Sequence, residues 1–310
     1  MTYIGLNRQI WNNNLKSVTL LILFPVVILG LVWLFIFLVQ QAPDARLEVA
    51  NSMFVRTAPW VVAGVGLWFI IAWFSHASLI DRATGSAPLS RKENKRIYNL
   101  VENLCIGSGM PMPKINIIND DSLNAFASGI NTSSFTVSLS RGIIEKLNDE
   151  ELETVIAHEL THIRNRDVRL LIISVIFVGI FAFLTEALLR SVRFGGGRGK
   201  KDGRVVIIAL MLAALGYFLS SLFRFAISRQ REYMADAGSA MMTKNPLALA
   251  SALEKISADP RIEAVKRKDI AQMFIENPQD KKEKPDSFSF SSLFMTHPPI
   301  EKRIAILRQF

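Results

Sequence analysis

The chain has 310 residues, half of them hydrophobic, with a formal net charge of +9 and a mean hydropathy of +0.27. A water-soluble domain seldom carries so large an apolar share, so a wholly aqueous fold is disfavoured and lipid is expected around part of the chain. The basic excess comes with no nucleic-acid-binding motif and suits a membrane protein with Lys and Arg in cytoplasmic segments, and the single cysteine, Cys105, excludes an internal disulfide and a thiolate metal cluster.

Two apolar runs come first. Ser17–Val39 and Pro59–Ile80 contain no Asp, Glu, Lys or Arg, and each reaches the roughly 17–25 residues that a helix needs to cross a bilayer. The first is longer than the roughly 7–15-residue apolar core of a cleaved signal peptide and is read as an uncleaved anchor. Between the two runs Arg46 and Arg56 are offset by Asp44 and Glu48, whereas Arg82, Arg91, Lys92, Lys95 and Arg96 follow the second. The positive-inside rule therefore places the chain from about residue 81 onward, and the N-terminus, in the cytoplasm.

An ordinary polar stretch follows. Ser90–Leu104 reads as a helix that the Gly107–Pro113 segment ends, with Cys105 as a structural residue. Lys114–Ile118 and Phe135–Leu139 read as short strands from their β-branched and alternating residues. Asn148, with Glu151 three residues on, opens the next helix as a capping box. That helix carries His158-Glu159-Leu160-Thr161-His162. Positions four apart share a helix face, so His158 and His162 can hold one ion, while Glu159 is placed to act on water at the metal rather than on the metal itself. With 4 His and 27 acidic residues in the chain, such a match arises by chance roughly 0.005 times, so the motif is informative.

A second apolar pair comes next: Leu170–Leu189, with Glu186 as its one charged residue, and Val205–Phe223, with none. Arg190, Arg193, Arg198, Lys200, Lys201 and Arg204 lie between them. A simple crossing hairpin would put these cations outside, so either the pair departs from the charge rule or it does not cross fully. The segment Gly195–Gly203 is one residue short of phosphate-loop spacing and has no Ser or Thr after its Lys, which makes it a flexible linker. A catalytic zinc site generally uses three protein ligands. No histidine lies in residues 163–168, so the third is His297 or an acidic group. Glu232 and Asp236, four apart on an expected helix, could supply one ligand and one acceptor for the second N–H of a ligand histidine. Both halves of this set lie close in sequence to an apolar run, which puts the site just off the membrane surface. Asn245–Ile256 reads as an amphipathic helix and Asn277–Pro285 as a polar linker.

In the segments His158–His162, Glu232-Tyr233-Met234-Ala235-Asp236, Asn124-Ala125-Phe126-Ala127 and Thr296-His297-Pro298-Pro299, the chain resembles the HtpX-like membrane metalloproteases, relatives of the CAAX prenyl endopeptidases. The likeness covers nearly the whole length, paired apolar runs included. It implies a mainly α, integral membrane fold of about four transmembrane helices with a cytoplasmic α+β zincin-like domain carrying a small sheet. The expected parts are a hairpin at 1–80, the first part of the catalytic domain at 81–169, a second helix pair at 170–227 and the rest of the catalytic domain at 228–310. By the same resemblance Glu232 is the third ligand of one zinc ion per chain and Asp236 orients a ligand histidine. Glu159 is then the general base, His297 acts near the oxyanion, and Asn124, Ala125, Phe126 and Ala127 belong to an edge strand that pairs with substrate. The implied activity is a zinc-dependent endopeptidase of the bacterial cytoplasmic membrane. Its expected partners are the bilayer and misfolded or damaged membrane proteins, with no nucleic acid. Dedicated processing of lipidated substrates is the alternative, and a non-catalytic metal-binding scaffold a more distant one.

Overall fold

The computed structural model describes residues 6–41, 44–194, 203–225, 229–257 and 298–310. In chain order its elements are α1 (Leu6–Val39), α2 (Arg46–Thr84), β1 (Ser86–Pro88), α3 (Lys95–Ser108), β2 (Lys114–Ile118), β3 (Ala125–Ser128), β4 (Thr136–Ser140), α4 (Arg141–Lys146), α5 (Asp149–Arg164), α6 (Asp167–Phe194), α7 (Gly203–Phe225), α8 (Arg229–Thr243), α9 (Pro246–Ile256) and α10 (Ile300–Leu307). Contacts divide the chain into two units: Leu15–Ser75 with Ile173–Arg224, and Met1–Asn14 with His76–Ile172 and Phe225–Phe310.

The first of these units is apolar and helical. The expected runs sit inside longer helices: α1 starts well before Ser17 and ends with its run at Val39, α2 continues past Pro59–Ile80 at both ends, and the two helices take Pro25 and Pro59 within them. Among the described residues, Trp11–Val39 and Arg46–Thr84 are long and apolar enough to cross a membrane, and Gly203–Leu219 forms a shorter apolar stretch. Trp60, Phe74 and Val55 are at least 70% exposed, an arrangement that suits lipid rather than water as solvent. Aromatic contacts hold the unit internally: Phe24 stacks on Phe177 with centroids 4.0 Å apart, and Trp68 meets Phe183 at 5.4 Å.

The second unit carries a four-stranded sheet in the order β1-β2-β4-β3. The β2–β4 pair is parallel and the two outer pairs are antiparallel. β2 has the expected bounds, while β4 lies one residue beyond the expected Phe135–Leu139, because the register pairs Lys114 with Thr136 and Ile118 with Ser140. The edge strand β1 has three residues and ends on Pro88, too short to leave an alternating pattern. α3 begins later than Ser90, at the point where the Asn94 side chain accepts from Ile97 N–H.

α5 is the central helix of this unit. Its capping box is formed, with Asn148 and Glu151 each accepting from the other's backbone N–H. Glu151 also accepts from Ser251 and Lys255 of α9, both at 2.7 Å, which ties the start of α5 to that helix. α8 lies against α5, with Ser239 Oγ donating to the Thr154 carbonyl at 2.6 Å. Gly238 permits this approach, since a Cβ there would overlap the Thr161 side chain.

Candidate metal centre

The 3.6-residue period of α5 turns His158 and His162 to one face, and their Nε2 atoms lie 3.2 Å apart. α8, held close by Gly238, supplies Glu232, whose carboxylate stands 3.7 Å from His158 Nε2 and 3.6 Å from His162 Nε2. Ligand atoms of these three residues all fall within 4.8 Å of one another. The far nitrogen of each ring meets a carboxylate: His158 Nδ1 is 3.0 Å from Asp236 and His162 Nδ1 is 3.1 Å from Asp167. With His162 Nδ1 hydrogen-bonded to Asp167 and His158 Nδ1 close to Asp236, the two Nε2 atoms face the space beside Glu232. Two imidazole nitrogens and one carboxylate, converging with oriented rings, fit a zinc ion with one position left for water.

Burial and charge shape the protonation of this cluster. Burial opposes an imidazolium at His158, but hydrogen bonds to Asp236 and Glu232 outweigh it and set the pKa at about 9. A cation binding at Nε2 must displace that proton. Burial likewise opposes a charged Asp236, yet the Arg303 guanidinium outweighs it and holds the carboxyl at about 2. Glu159 is 2% exposed. Burial raises its pKa against the pull of His158, His162 and a backbone hydrogen bond from Ala127.

Three sequence-expected groups thus come together: the ligand set His158, His162 and Glu232, the partner Asp236, and Glu159. Asn124–Ala127 also reaches the site. Ala125–Ala127 lie in β3, at the sheet's edge, and Asn124 just precedes it. The Asn124 carbonyl accepts from Ser140 N–H, so by the alternation of an antiparallel ladder Ala125 and Ala127 turn their backbone groups away from β4. Ala125 N–H donates to the Asn124 side-chain oxygen at 2.9 Å, and that of Ala127 to Glu159. Every residue of β3 is buried. His297, the whole of Asn277–Pro285 and all of Gly195–Gly203 but Gly203 itself lie outside the described residues.

Two functional residues escape sequence reasoning. Arg303 of α10 is 1% exposed. It donates to both Asp236 oxygens, at 2.9 and 2.7 Å, and stands 3.5 Å from Glu232. No local pattern at residue 303 announces this, because Asp236 is 67 residues away and Glu232 farther still. Asp167 had a signal, a carboxylate five residues past His162. The helical period hides it, since Arg166 at φ 60° breaks α5 from α6 and redirects the chain.

The site is a helix-borne histidine pair beside a glutamate of a second helix, a group that could hold a metal ion. Residues 91–310 match the description "Peptidase family M48". A Bacteroides fragilis protein named "Protease HtpX homolog" is 58% identical over the whole of both chains. One of the same name from Dictyoglomus turgidum is 42% identical over 79% of this chain and 81% of its own, and one from Lactobacillus helveticus 34% identical over 98% and 99%. The crystal structure of S. mikatae Ste24p aligns at 20% identity with a TM-score of 0.47, covering 96% of this chain and 66% of that one, a likeness too loose to assign a fold. The chain belongs to peptidase family M48 as an HtpX-like membrane protease.

Proposed function

We propose that the chain is a zinc-dependent endopeptidase of the bacterial cytoplasmic membrane, with its site facing the cytoplasm, and that it cuts misfolded or damaged membrane proteins. The observation that carries this reading is the convergence of His158, His162 and Glu232 within 4.8 Å beside the buried Glu159. The bacterial relatives' name supports a protease, and the cations that follow α2 support the orientation.

His158 and His162 would hold the ion through Nε2 and Glu232 through its carboxylate. When bound by these residues, a zinc ion would supply Lewis acidity to a scissile carbonyl and would lower the pKa of water toward about 7. Glu159 takes the proton of the attacking water onto its carboxylate and passes it to the leaving amine as the C–N bond breaks. Its burial favours the protonated carboxyl and so lets it hold the proton between the two transfers. Asp236 and Asp167 fix the rings. An extended substrate adds to β3 through the outward carbonyls of Ala125 and Ala127, because their N–H groups are already engaged. Since β3 is buried, that edge must be uncovered first. His297 completes the reading as a stabiliser of the oxyanion.

Metal analysis of the purified full chain tests the ligand set. His158→Ala, His162→Ala and Glu232→Ala should each lose most bound zinc, since a three-ligand site seldom survives the loss of one. Full retention in Glu232→Ala would remove it from the set and promote Asp236 or His297. Cleavage confined to a prenylated C-terminal peptide would replace the proposed substrates with a dedicated processing target.

A further inference from the structure

The carboxylate that faces His162 is gripped from an unexpected quarter. Asp167 is 3% exposed and turns its two oxygens to different partners. Oδ2 meets His162 Nδ1 at 3.1 Å, while Oδ1 accepts from Asn13 Nδ2 at 2.7 Å. Asn13 is itself 2% exposed and lies on α1, 154 residues away in sequence. The same amide nitrogen donates to the Asn165 carbonyl at 2.9 Å. One side chain therefore spans the end of α5 and the first residue of α6, the corner where Arg166 takes its left-handed conformation. Arg231, adjacent to Glu232, closes the group by donating to the Asp167 carbonyl at 3.2 Å and standing 4.0 Å from Oδ1.

We infer that Asn13 is a positioning residue of the metal centre, acting through Asp167 to fix the ring of His162. An amide suits this place better than a charged or apolar group. It gives two N–H donors to two acceptors without adding charge beside a carboxylate that must stay free to accept from the imidazole. A carboxylate left without that donor can rotate about its own χ angles, and the ring it orients turns with it. The N-terminal end of α1, up to Asn13, thus supports the metal centre. The inference rests on His162 being a zinc ligand.

The test measures zinc affinity by chelator competition on the detergent-solubilised full chain, in a Glu159→Gln background that prevents self-cleavage. Asp167→Ala is expected to weaken zinc about 10–100-fold, the range for groups that orient ligand histidines. Asn13→Ala should weaken it about 10-fold, and the Asn13→Ala/Asp167→Ala double variant no more than Asp167→Ala alone, because the two act in series. Asn13→Asp keeps the shape and turns donors into acceptors, so it should weaken zinc at least as much as Asn13→Ala and guards against a misfolded alanine variant. Unchanged affinity in Asn13→Asp would overturn the inference, as would losses in the double variant that equal the sum of the single ones. A His162→Ala arm separates the two readings. If that variant keeps its zinc, the ligand set is wrong; if it loses zinc while the Asn13 variants do not, only the role of Asn13 falls.

Discussion

Replacing Arg303 by Met keeps much of the side chain's bulk and removes its charge, so the loss falls on Asp236. In the wild type burial would raise the pKa of that carboxyl, yet the Arg303 guanidinium, helped by the His158 ring, holds it at about 2 against an ordinary 3.8. At about 1.4 kcal/mol per pKa unit, this favours the folded, ionised state by about 2 kcal/mol at neutral pH. Removing one partner of a buried ion pair costs more, about 3–5 kcal/mol, because the remaining charge stays buried without compensation. A loss of about 2–5 kcal/mol at roughly 2–4 °C per kcal/mol, typical of units of 150–250 residues, lowers the melting temperature by about 4–20 °C. The sign with pH follows from the depressed pKa. The Arg303–Asp236 contribution is fully present above about pH 4 and is lost as pH falls through about 2, so the gap between wild type and variant should close in acid. Thermal unfolding of the purified full chain, followed by intrinsic fluorescence with chelator present, measures this. Arg303→Lys should recover part of the loss, since it restores charge without the two-pronged geometry. A melting temperature for Arg303→Met within 1 °C of wild type, within the reach of ordinary surface substitutions, would refute the reasoning.

Two further outcomes follow from the same geometry. Gly238→Val should destabilise the α5–α8 contact by about 1–3 kcal/mol, because its side chain overlaps Thr161; it should also lower zinc content by displacing Glu232, and wild-type melting with full zinc would contradict that packing. Cys105 is 3% exposed and burial raises its pKa to about 11, so iodoacetamide should leave it unmodified at pH 8 in the folded chain and label it after denaturation; rapid labelling of the native protein would contradict its burial.

Legibility in the sequence followed the range of the interactions involved. The capping box of Asn148 and Glu151 and the placing of His158 and His162 on one face are local, set by residues three and four apart, and both are present in α5. Glu232 and Asp236 could be paired by the same period, but which of them meets the Nε2 atoms depends on how α8 docks on α5, where Gly238 and Ser239 make the contact. Spacing left the ligand open, and only the family resemblance selected Glu232. Arg303 and Asn13 lie farther still from any local rule. One is a basic residue of a C-terminal helix and the other a polar residue just ahead of an apolar run, and each is exposed or buried only by tertiary contact. β1 was invisible because three residues ending in proline carry no period.

In the proposed mechanism Glu159 moves the proton in peptide hydrolysis while His158, His162 and Glu232 hold the metal. Glu159→Gln changes one oxygen to an NH₂ group of nearly the same shape, and glutamine accepts no proton at neutral pH. General acid–base catalysis contributes about 10²–10⁴-fold, and here one carboxylate serves both the water and the leaving amine. The direct measurement is cleavage of an unfolded membrane protein by wild type and Glu159→Gln, at equal zinc content and in preparations free of other proteases. The expected result is a rate lowered about 10²–10⁴-fold or more with zinc unchanged, whereas wild-type cleavage by the zinc-loaded variant would contradict the account.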